Sequence, residues 1–439
     1  MKKHIESVII GAGISGLATG HFLKKRNKEF FIFESNNKVG GVINTQKIKG
    51  LICENGPNTI LINNDAIIEL MDDLDLSREI ISPTKYVKKK FFLHNGKIVE
   101  FPNSIKSFLN TRLISIKSKF KILQRLFFFS KKKYTTVYNY TSDNFGEDFH
   151  NNIIEPFLNG IYAGNTKKMS FKHALPKLWK INSLYYGFID YFLRKNKKKN
   201  NNNNPIYFKE GFSTLINKIK NSLNDEIHTN FKVKKVSKID QKKYLIEFSN
   251  NQKITCDNII FTINPNNIME ILNLKIEGFD EKLYNPIDVI HFAFNKKDYD
   301  RKIQGFGLLS KQSERTSFLG ILFNSDIFPN VAPSELKLIT VLVGGENQSN
   351  LCELEKDLIC SKVESEIKEL LKIKKIVFKK HFRWKYAIPR YNIKNIEFLN
   401  SSFNDHLSSY KNIHINGNYL NGVSVSECIS KSKQVAKKI

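Results

Sequence analysis

Several features that mark common protein classes are scarce in this sequence of 439 residues. It contains 5 cysteines, an odd number without any CxxC pair, which argues against a disulfide framework or a zinc site and favours a reducing compartment. No apolar run approaches the roughly 18 residues that a membrane-spanning helix needs, so any membrane contact must be peripheral. His4 and Glu6 interrupt the first segment, which predicts an opening β-strand and not a secretory signal.

Acidic residues are also few relative to basic ones. The chain has 42 Asp and Glu against 70 Lys and Arg, a formal net charge of +28. Such an excess is typical of proteins that bind nucleic acid or an anionic membrane surface. The lysines are scattered, however, and Lys, Asn, Ile and Phe are all abundant, so codon usage in an AT-rich genome is a second explanation. Without a recognition helix or an aromatic RNA-binding signature, nucleic acid is not an expected partner.

Side-chain catalytic sets are missing from the sequence as well. We find no Ser/His/Asp set, no metal-ligand cluster and no carboxylate pair. The histidines His291, His381 and His414 stand singly, and we interpret them as packing residues. We therefore expect neither a catalytic side chain nor a metal ion.

The clearest positive signal is the segment VIIGAGISGLATGHF (8–22). Gly11, Gly13 and Gly16 form a GxGxxG pattern between a strand-like and a helix-like run, which predicts a dinucleotide-binding turn. In such a turn, the glycines allow a tight bend, close approach of a pyrophosphate and close packing of helix on strand. The next strand-like run ends in Glu34, near the spacing of about 20 residues expected for a ribose-binding acid. A glycine-rich turn without a ligand is the alternative.

Further glycine segments occur at both ends of the chain. They are ESNNKVGGVINT (34–45), CENGPNTI (53–60) and HINGNYLNGVSVSECI (414–429). An extended cofactor could be contacted by all of them if the last segment folds back beside the first. We therefore expect the two ends of the chain to lie together.

The segment IIEPFLNGIYAGNTKKMSFKHALPKLWKI (153–181) resembles the EPFxxGxYAG segment of the protoporphyrinogen and coproporphyrinogen oxidases. Other matches to this family follow in order along nearly the whole chain: GPNT (56–59), FKEGFSTL (208–215), FPNVAP (328–333), VGG (343–345), AIPRY (387–391) and GNYLNGVSVSECI (417–429). The chain is therefore similar to a family of FAD-dependent enzymes within the flavin amine oxidase superfamily.

The resemblance implies an α/β fold of the FAD-binding, two-dinucleotide-binding-domain type. Its parts would be a Rossmann-like FAD domain, a β-rich substrate domain and a helical, membrane-associated insert. The expected boundaries are 1–83, 206–270 and 400–439 for the discontinuous FAD-binding domain, 84–205 for the helical insert on the substrate and membrane side, and 271–399 for the substrate-binding β domain.

The implied activity is the oxidation of protoporphyrinogen IX to protoporphyrin IX in heme biosynthesis. Six electrons would leave in three flavin cycles, with O2 as the acceptor. Coproporphyrinogen III, giving coproporphyrin III, is the alternative substrate. An amine oxidase or phytoene desaturase of the same fold, or a basic nucleic-acid-binding protein, are more remote alternatives. The expected location is the cytoplasm, with peripheral attachment to an anionic membrane, and a homodimer is left open.

The family's pattern also implies which residues contact the ligands. For FAD, they are Gly11, Ala12, Gly13, Ile14, Ser15, Gly16, Glu34, Ser35, Gly41, Val42, Gly56, Pro57, Asn58, Thr59, Val233, Asn418, Val423, Ser424 and Val425. Val42 departs from the superfamily, whose members carry Arg there.

For the substrate, the resemblance implies Lys90, Leu309, Leu322 and Leu342. Lys90 stands where family members carry an Arg that pairs with a propionate, so the charge is kept and the bidentate fork is lost. The leucines match positions that flank the substrate ring. A solvated lysine and ordinary core leucines are the alternative interpretations.

One basic segment of the predicted insert has helical periodicity. Apolar residues recur at Leu113, Ile116, Phe120, Leu123 and Phe127, while a second face carries cations (Lys117, Lys121 and Arg125). A second aromatic and basic cluster spans 184–199, and 196–204 is a predicted low-complexity loop. The helices could lie in a membrane interface, or their apolar stripe could face the core.

Overall fold

The computed structural model describes residues 3–129, 132–194, 205–240, 242–276, 282–420 and 422–439. The predicted loop 196–204 lies outside them. Contacts divide the chain into two compact units. The first unit comprises Met1–Ser82, Asn201–Glu281 and Glu397–Ile439, and the second comprises Pro83–Asn200 and Lys282–Ile396.

Strands and helices alternate along most of the chain. The strands of the described residues, β1 to β19, are His4–Ile10, Phe30–Phe33, Thr45–Ile48, Leu51–Glu54, Ile60–Leu61, Ile80–Ile81, Lys90–His94, Lys97–Glu100, Pro205–Phe208, Ile227–His228, Val233–Lys238, Tyr244–Phe248, Lys253–Phe261, Tyr284–Asn295, Gly307–Leu309, Gly320–Leu322, Leu336–Gly344, Phe378–Pro389 and Ile413–Ile415. The α-helices of the same residues, α1 to α17, are Ile14–Lys24, Asp65–Asp73, Ile105–Asn110, Ile116–Phe127, Val137–Phe145, Glu147–Phe149, Glu155–Tyr162, Phe171–Ala174, Pro176–Leu184, Phe188–Arg194, Ser213–Ser222, Pro265–Leu272, Asn324–Ile327, Lys356–Leu371, Ile393–Asn400, Ser402–Ser408 and Val425–Ala436. Among these helices, none has the length and apolar composition required to cross a bilayer.

The first unit contains a seven-stranded sheet in which β1 is central. The order is β10, β2, β1, β13, β12 and β11, and β19 also pairs with β13. β1 runs parallel to both β2 and β13. Its residues Ile5, Val8 and Ile9 are fully buried, as expected for a strand covered on both faces. The turn after β1 therefore lies at the carboxyl ends of the parallel strands of this mixed sheet, where such folds bind their ligands.

The second unit contains another seven-stranded sheet, in the order β18, β14, β17, β16, β15, β7 and β8. The helix α14 covers one face of this sheet. Its residues Ile359, Val363 and Ile367 share a buried cluster with Leu308 and Val341 from the strands. Because side chains alternate along a strand, the neighbours of these strand residues lie on the opposite face.

The start of the predicted helical insert differs from expectation, because β7 and β8 form a hairpin there. Asn95 and Gly96 both have positive φ, at 51° and 69°, as in the two-residue turns that join antiparallel strands. β7 then pairs in parallel with β15 and so extends the sheet. Helices prevail only after this hairpin, from α3 to α10.

Candidate cofactor and substrate sites

The GxGxxG turn joins β1 to α1 with the geometry that a pyrophosphate requires. A Cβ atom placed on Gly16 would lie 1.9 Å from the carbonyl oxygen of Gly11, so only glycine permits this packing of helix on strand. A Cβ atom on Gly13 would meet no atom within 4 Å, which shows open space before the helix. Gly13 is the N-cap and provides no side-chain acceptor, so N–H groups of the first turn remain available for an anion.

Glu34 lies beside this turn, at the end of β2. Its Oε2 accepts the N–H of Ala12 at 2.8 Å, and its Oε1 accepts the Ser35 hydroxyl at 3.2 Å. The N–H of Phe231 donates to the Glu34 carbonyl at 2.8 Å, which brings the chain just before Val233 to the same edge. Its Oε1 also accepts the backbone N–H of Asn36 at 2.9 Å and the Asn36 side-chain amide at 2.7 Å, so the protein itself uses about four acceptor positions of this carboxylate. A ribose hydroxyl would have to replace one of these donors.

The second glycine pair packs directly onto the first turn. The Gly40 N–H donates to the Ala12 carbonyl at 2.8 Å, and a Cβ atom on Gly41 would lie 3.3 Å from the Cα of Gly13. A Cβ atom on Gly56 would lie 2.0 Å from the carbonyl oxygen of Val42. Gly56, the first residue of the GPNT segment, therefore packs on the turn that contains Gly40 and Gly41. The other members of the segment, Pro57, Asn58 and Thr59, are half-buried.

The expectation that the two ends of the chain fold together is confirmed, because α17 packs against α1. The Ser432 hydroxyl donates to the Ser15 carbonyl at 2.9 Å, and the Asn416 amide donates to the Thr19 hydroxyl at 3.2 Å. Ser424 caps α17 by accepting the Glu427 N–H at 3.2 Å. Val425 is buried at the start of the helix, and Asn418 and Val423 are half-buried before it.

A buried carboxylate that the sequence analysis missed links the end of β4 to β3, β9 and the start of α11. Glu54, at the end of β4, accepts the Tyr207 hydroxyl at 2.6 Å and the Phe212 N–H at 2.9 Å. It also accepts the Thr45 hydroxyl at 2.9 Å. Burial raises the pKa of Glu54 above its ordinary value, against the effect of these donors. The available signal was a single acidic residue at the end of an apolar strand, directly before the Asn-Gly-Pro turn.

In the second unit, strand register aligns the four predicted substrate residues. Lys90 pairs with Gly307, Gly307 with Leu322, and Leu322 with Thr340. Paired residues in neighbouring strands direct their side chains to the same face, about 4.8 Å apart. Lys90 and Leu322 therefore lie in one row, with a glycine between them.

The next row contains the other two leucines. Leu309 pairs with Gly320, and Gly320 pairs with Leu342. Because Gly320 and Leu322 are two residues apart in one strand, both rows lie on the same face, opposite α14. Lys90 is exposed and the three leucines are half-buried. The structure thus brings all four residues to one sheet face, and their contact with a substrate stays a prediction.

The EPF segment lies over part of this face. Gly160 of α7 approaches Leu309 so closely that a Cβ atom there would lie 2.7 Å from Leu309 Cδ2. Leu342 packs against a cluster that includes Ala163 and Leu319. The segment that carried the family resemblance therefore contacts the strands that carry the leucines.

The three histidines singled out in the sequence, His291, His381 and His414, make contacts that are typical of packing residues. His291 is fully buried with Nδ1 2.9 Å from the Thr340 hydroxyl, and burial lowers its pKa to about 3. His381 Nε2 lies 3.0 Å from Asp288 Oδ2 on the face toward α14. In the first unit, burial lowers the pKa of His414. The described residues contain no cluster that could hold a metal ion.

A glycine-rich turn at the carboxyl ends of parallel strands defines a dinucleotide-binding α/β protein. A family model described as flavin containing amine oxidoreductase matches residues 14–439. The chain belongs to this family and is a flavin-dependent oxidoreductase. FAD is its cofactor, and the open space before Gly13 together with the free N–H groups of α1 fits the FAD pyrophosphate.

Individual relatives span nearly the whole chain. It is 26% identical over 475 residues to protoporphyrinogen oxidase 2, chloroplastic/mitochondrial, of Arabidopsis thaliana, covering 98% of this chain and 92% of that protein. It is 23% identical over 463 residues to coproporphyrinogen III oxidase of Bacillus subtilis, covering 98% and 97%. A crystal structure of a candidate protoporphyrinogen oxidase from Exiguobacterium sp. 255-15 matches with a TM-score of 0.84 at 18% identity, covering 100% and 98%. This last likeness shows the shared fold.

Proposed function

We propose that this protein oxidises a porphyrinogen to the corresponding porphyrin in heme biosynthesis, with protoporphyrinogen IX as the substrate and coproporphyrinogen III as the alternative. The observation that carries the proposal is the shared sheet face of Lys90, Leu309, Leu322 and Leu342. A porphyrinogen is a largely apolar ring with carboxylate tails. A leucine surface with a cation at its margin matches both parts. The names of the full-length relatives support the same substrate class.

The chain's own residues would bind and orient the substrate. The leucines would contact the ring. Lys90 would attract a propionate without the bidentate geometry of Arg. Bound FAD supplies the two-electron oxidation, and three such oxidations with O2 as the acceptor give the porphyrin and hydrogen peroxide. No side chain need act as a dedicated acid or base, because the pyrrole protons can leave to water.

The test compares both substrates on the purified, flavin-loaded protein. Conversion of the non-fluorescent porphyrinogen to the fluorescent porphyrin is followed together with oxygen consumption. We expect oxidation of both, with a higher kcat/KM for protoporphyrinogen IX. A flavin-loaded protein that oxidises neither porphyrinogen, but forms peroxide from amines or desaturates phytoene, would contradict the proposal. Preference for coproporphyrinogen III would establish the alternative substrate.

We also propose that the enzyme attaches to an anionic membrane surface from the cytoplasm, through helices α4 and α10. The apolar stripe of α4 is exposed: Ile116 by 85%, Phe120 by 61% and Phe127 by 56%. The helix instead turns Ser118, which is buried, and Ile122 toward the core. The alternative that this stripe faces the core is therefore wrong for the exposed residues, whereas Leu113, which precedes the helix, is buried.

The positive charges on α4 and the exposed apolar side chains of the neighbouring α10 support a membrane as the partner of this surface. α10 packs against α4 and adds the exposed side chains of Phe192 and Leu193, at 65% and 81%. On the same helix as the apolar stripe, Lys117 is exposed and Lys121 is half-buried. Each such cation near an anionic leaflet adds roughly 1 kcal/mol of binding free energy.

Flotation with phosphatidylserine-containing vesicles tests this attachment. Phe120→Asp with Phe127→Asp should reduce the floating fraction strongly, because two charges would enter the acyl region. The matched control, Ile239→Asp, changes an apolar residue of the first unit that is 54% exposed. Flavin content should stay the same in all proteins. Equal flotation of the α4 variant and the parent would exclude this surface.

A further inference from the structure

A buried ion pair lies at the margin of the second sheet, on the side that α14 covers. Lys337 Nζ of β17 donates to Asp326 Oδ2 of α13 at 2.9 Å, and the two side chains are 4% and 8% exposed. The ring centres of Tyr299 and Phe323 lie 4.6 and 5.0 Å from the ammonium. Burial lowers the pKa of Lys337 and raises the pKa of Asp326, so it opposes the charged forms of both groups.

Such a pair contributes little net stability compared with apolar residues of similar size, because both charges have left water. What it adds to the structure is directed hydrogen bonds. Lys337 Nζ also donates to the Ile303 carbonyl at 2.6 Å, and Asp326 Oδ2 also accepts the Gly305 N–H at 3.1 Å. The pair therefore fixes two backbone positions within residues 303–306, the segment that leads into β15.

This segment packs against the start of β7. The Phe306 N–H donates to the Lys89 carbonyl at 2.7 Å, and a Cβ atom on Gly305 would lie 2.5 Å from Phe91 Cε2. Lys90 stands between these two contacts, and its Nζ lies 6.0 Å from the centre of the Phe306 ring. The segment thus holds the backbone on both sides of Lys90.

The helix that carries Asp326 also holds the chain that precedes β7. Thr84 donates its N–H to the Ile327 carbonyl at 2.9 Å and its hydroxyl to the Asp326 carbonyl. Thr84 in turn caps the short helical turn Lys85–Lys88, which ends just before β7. α13 therefore supports the start of β7 through two separate stretches of chain.

We propose that Lys337 and Asp326 are positioning residues for substrate binding, which act through residues 303–306 to hold Lys90 on the predicted substrate face. The inference rests on the proposed function, in which Lys90 attracts a propionate. This attraction weakens as the distance between the charges increases, so a displacement of β7 would weaken substrate binding. Because the pair lies on the opposite face of the sheet, its loss should raise KM and leave kcat nearly unchanged.

The double variant Lys337→Met with Asp326→Leu tests the proposal on the flavin-loaded protein. It leaves no buried charge unpaired, so it should fold with nearly the stability of the parent, which urea unfolding measures. We expect KM for the porphyrinogen to rise about tenfold, as for loss of a charge-assisted contact. Hydrogen exchange of the backbone amides of residues 89–101 should become faster, because part of their support is lost.

Replacement of Lys90 shows whether the pair acts through this residue. Lys90→Ala alone should raise KM about tenfold, and its combination with the double variant should add little, because both changes remove the same contact. The matched control replaces the other buried ion pair of the same sheet side, as Asp288→Leu with Arg383→Met, which joins β14 to β18. The control should change neither KM nor hydrogen exchange in β7.

Three results would overturn the proposal: an unchanged KM in the double variant, effects that multiply with those of Lys90→Ala, or unchanged hydrogen exchange of residues 89–101. An equal rise of KM in the control pair would also overturn it. A parent protein that oxidises no porphyrinogen would contradict the proposed function instead. The exchange measurement does not require turnover, so it would then decide by itself whether the pair holds β7.

Discussion

The two units of the molecule build their candidate sites from different materials. In the first unit, the groups offered to FAD are mostly backbone N–H groups at a glycine turn and the start of α1. In the second unit, they are side chains from β7, β15, β16 and β17, aligned by strand pairing. A backbone site depends on a few residues that are close in sequence. A side-chain site depends on the register of strands that are far apart in sequence.

Glycine replacement in the first unit should have the largest effect. Gly16→Ala brings a Cβ atom to within 1.9 Å of the Gly11 carbonyl oxygen, so helix and strand must separate. We expect a loss of about 3 kcal/mol or more in unfolding free energy, together with loss of flavin. Thermal unfolding and the flavin absorbance of the purified protein measure both.

Gly13→Ala is the matched control for this change. Its Cβ atom meets no protein atom within 4 Å, so the apoprotein should keep its unfolding temperature. The same atom enters the space assigned to the pyrophosphate, so flavin affinity should fall. If Gly13→Ala unfolds as readily as Gly16→Ala, or retains full flavin affinity, the assignment of this space is wrong.

A buried ion pair on the α14 face of the second sheet provides the next largest effect. Asp288 is fully buried and accepts Arg383 Nε at 2.8 Å and Nη2 at 2.7 Å. Burial alone would raise the pKa of Asp288, but the hydrogen bonds from Arg383 and His381 outweigh it and hold this pKa below its ordinary value. Stability from this pair is therefore complete above the ordinary pKa of about 4, and is lost as pH falls through the lowered value.

Arg383→Met should lower the unfolding free energy by about 3–5 kcal/mol at pH 7, because it leaves a buried carboxylate unpaired. The pKa of Asp288 should then rise, so the variant should regain stability between pH 8 and pH 5, where its carboxyl becomes protonated. Urea unfolding at both pH values measures this. Arg301→Met, at an exposed arginine, should change stability by less than about 0.5 kcal/mol. If Arg383→Met lost the same unfolding free energy at pH 8 and at pH 5, an unpaired Asp288 carboxylate would not be the cause of the loss.

A substitution at Lys90 tests the predicted substrate face, which lies opposite α14 on the same sheet. Lys90→Glu should raise KM for the porphyrinogen about tenfold, because it replaces an attraction for a propionate with a repulsion. Flavin content should not change. Steady-state kinetics at low and high salt should show a smaller difference at high salt. Lys88→Glu, which changes an exposed lysine before β7, is the control. If the two variants had the same KM, Lys90 would not bind the propionate.

Adjacent residues of β17 separate stability from substrate contact, and the several-fold kinetic change expected at Leu342 is the smallest of these effects. Val341→Ala, in the fully buried cluster against α14, should cost about 2 kcal/mol and leave KM unchanged. Leu342→Ala, half-buried on the opposite face, should cost less stability and lower kcat/KM several-fold. Denaturant unfolding and porphyrinogen kinetics provide the two measurements. If Leu342→Ala lost more stability than Val341→Ala and kept its kcat/KM, Leu342 would be a core residue without substrate contact.

Local sequence patterns predicted the dinucleotide turn of the first unit well, because its glycines lie within a few residues of one another and Gly16 packs directly on Gly11. The spacing of Gly11, Gly13 and Gly16 predicted a strand, a turn and a helix, and β1 and α1 confirm them. Glu54 was missed because its partners, Tyr207 and Phe212, lie about 150 residues away, and no local pattern connects them. The helical interpretation of 84–205 was wrong for β7 and β8, although the Asn-Gly turn between them was a local hairpin signal.

The sequence by itself determined the dinucleotide turn, the resemblance to flavin enzymes and the presence of an amphipathic basic helix. These features depend on residue types at short spacing, which fix backbone conformation and helical faces locally. Only the tertiary structure decided that the apolar stripe of α4 is exposed, and that Lys90, Leu309, Leu322 and Leu342 share one sheet face. Burial and strand register result from packing between distant segments, and a shift of one residue in pairing would move a strand's side chains to the other face.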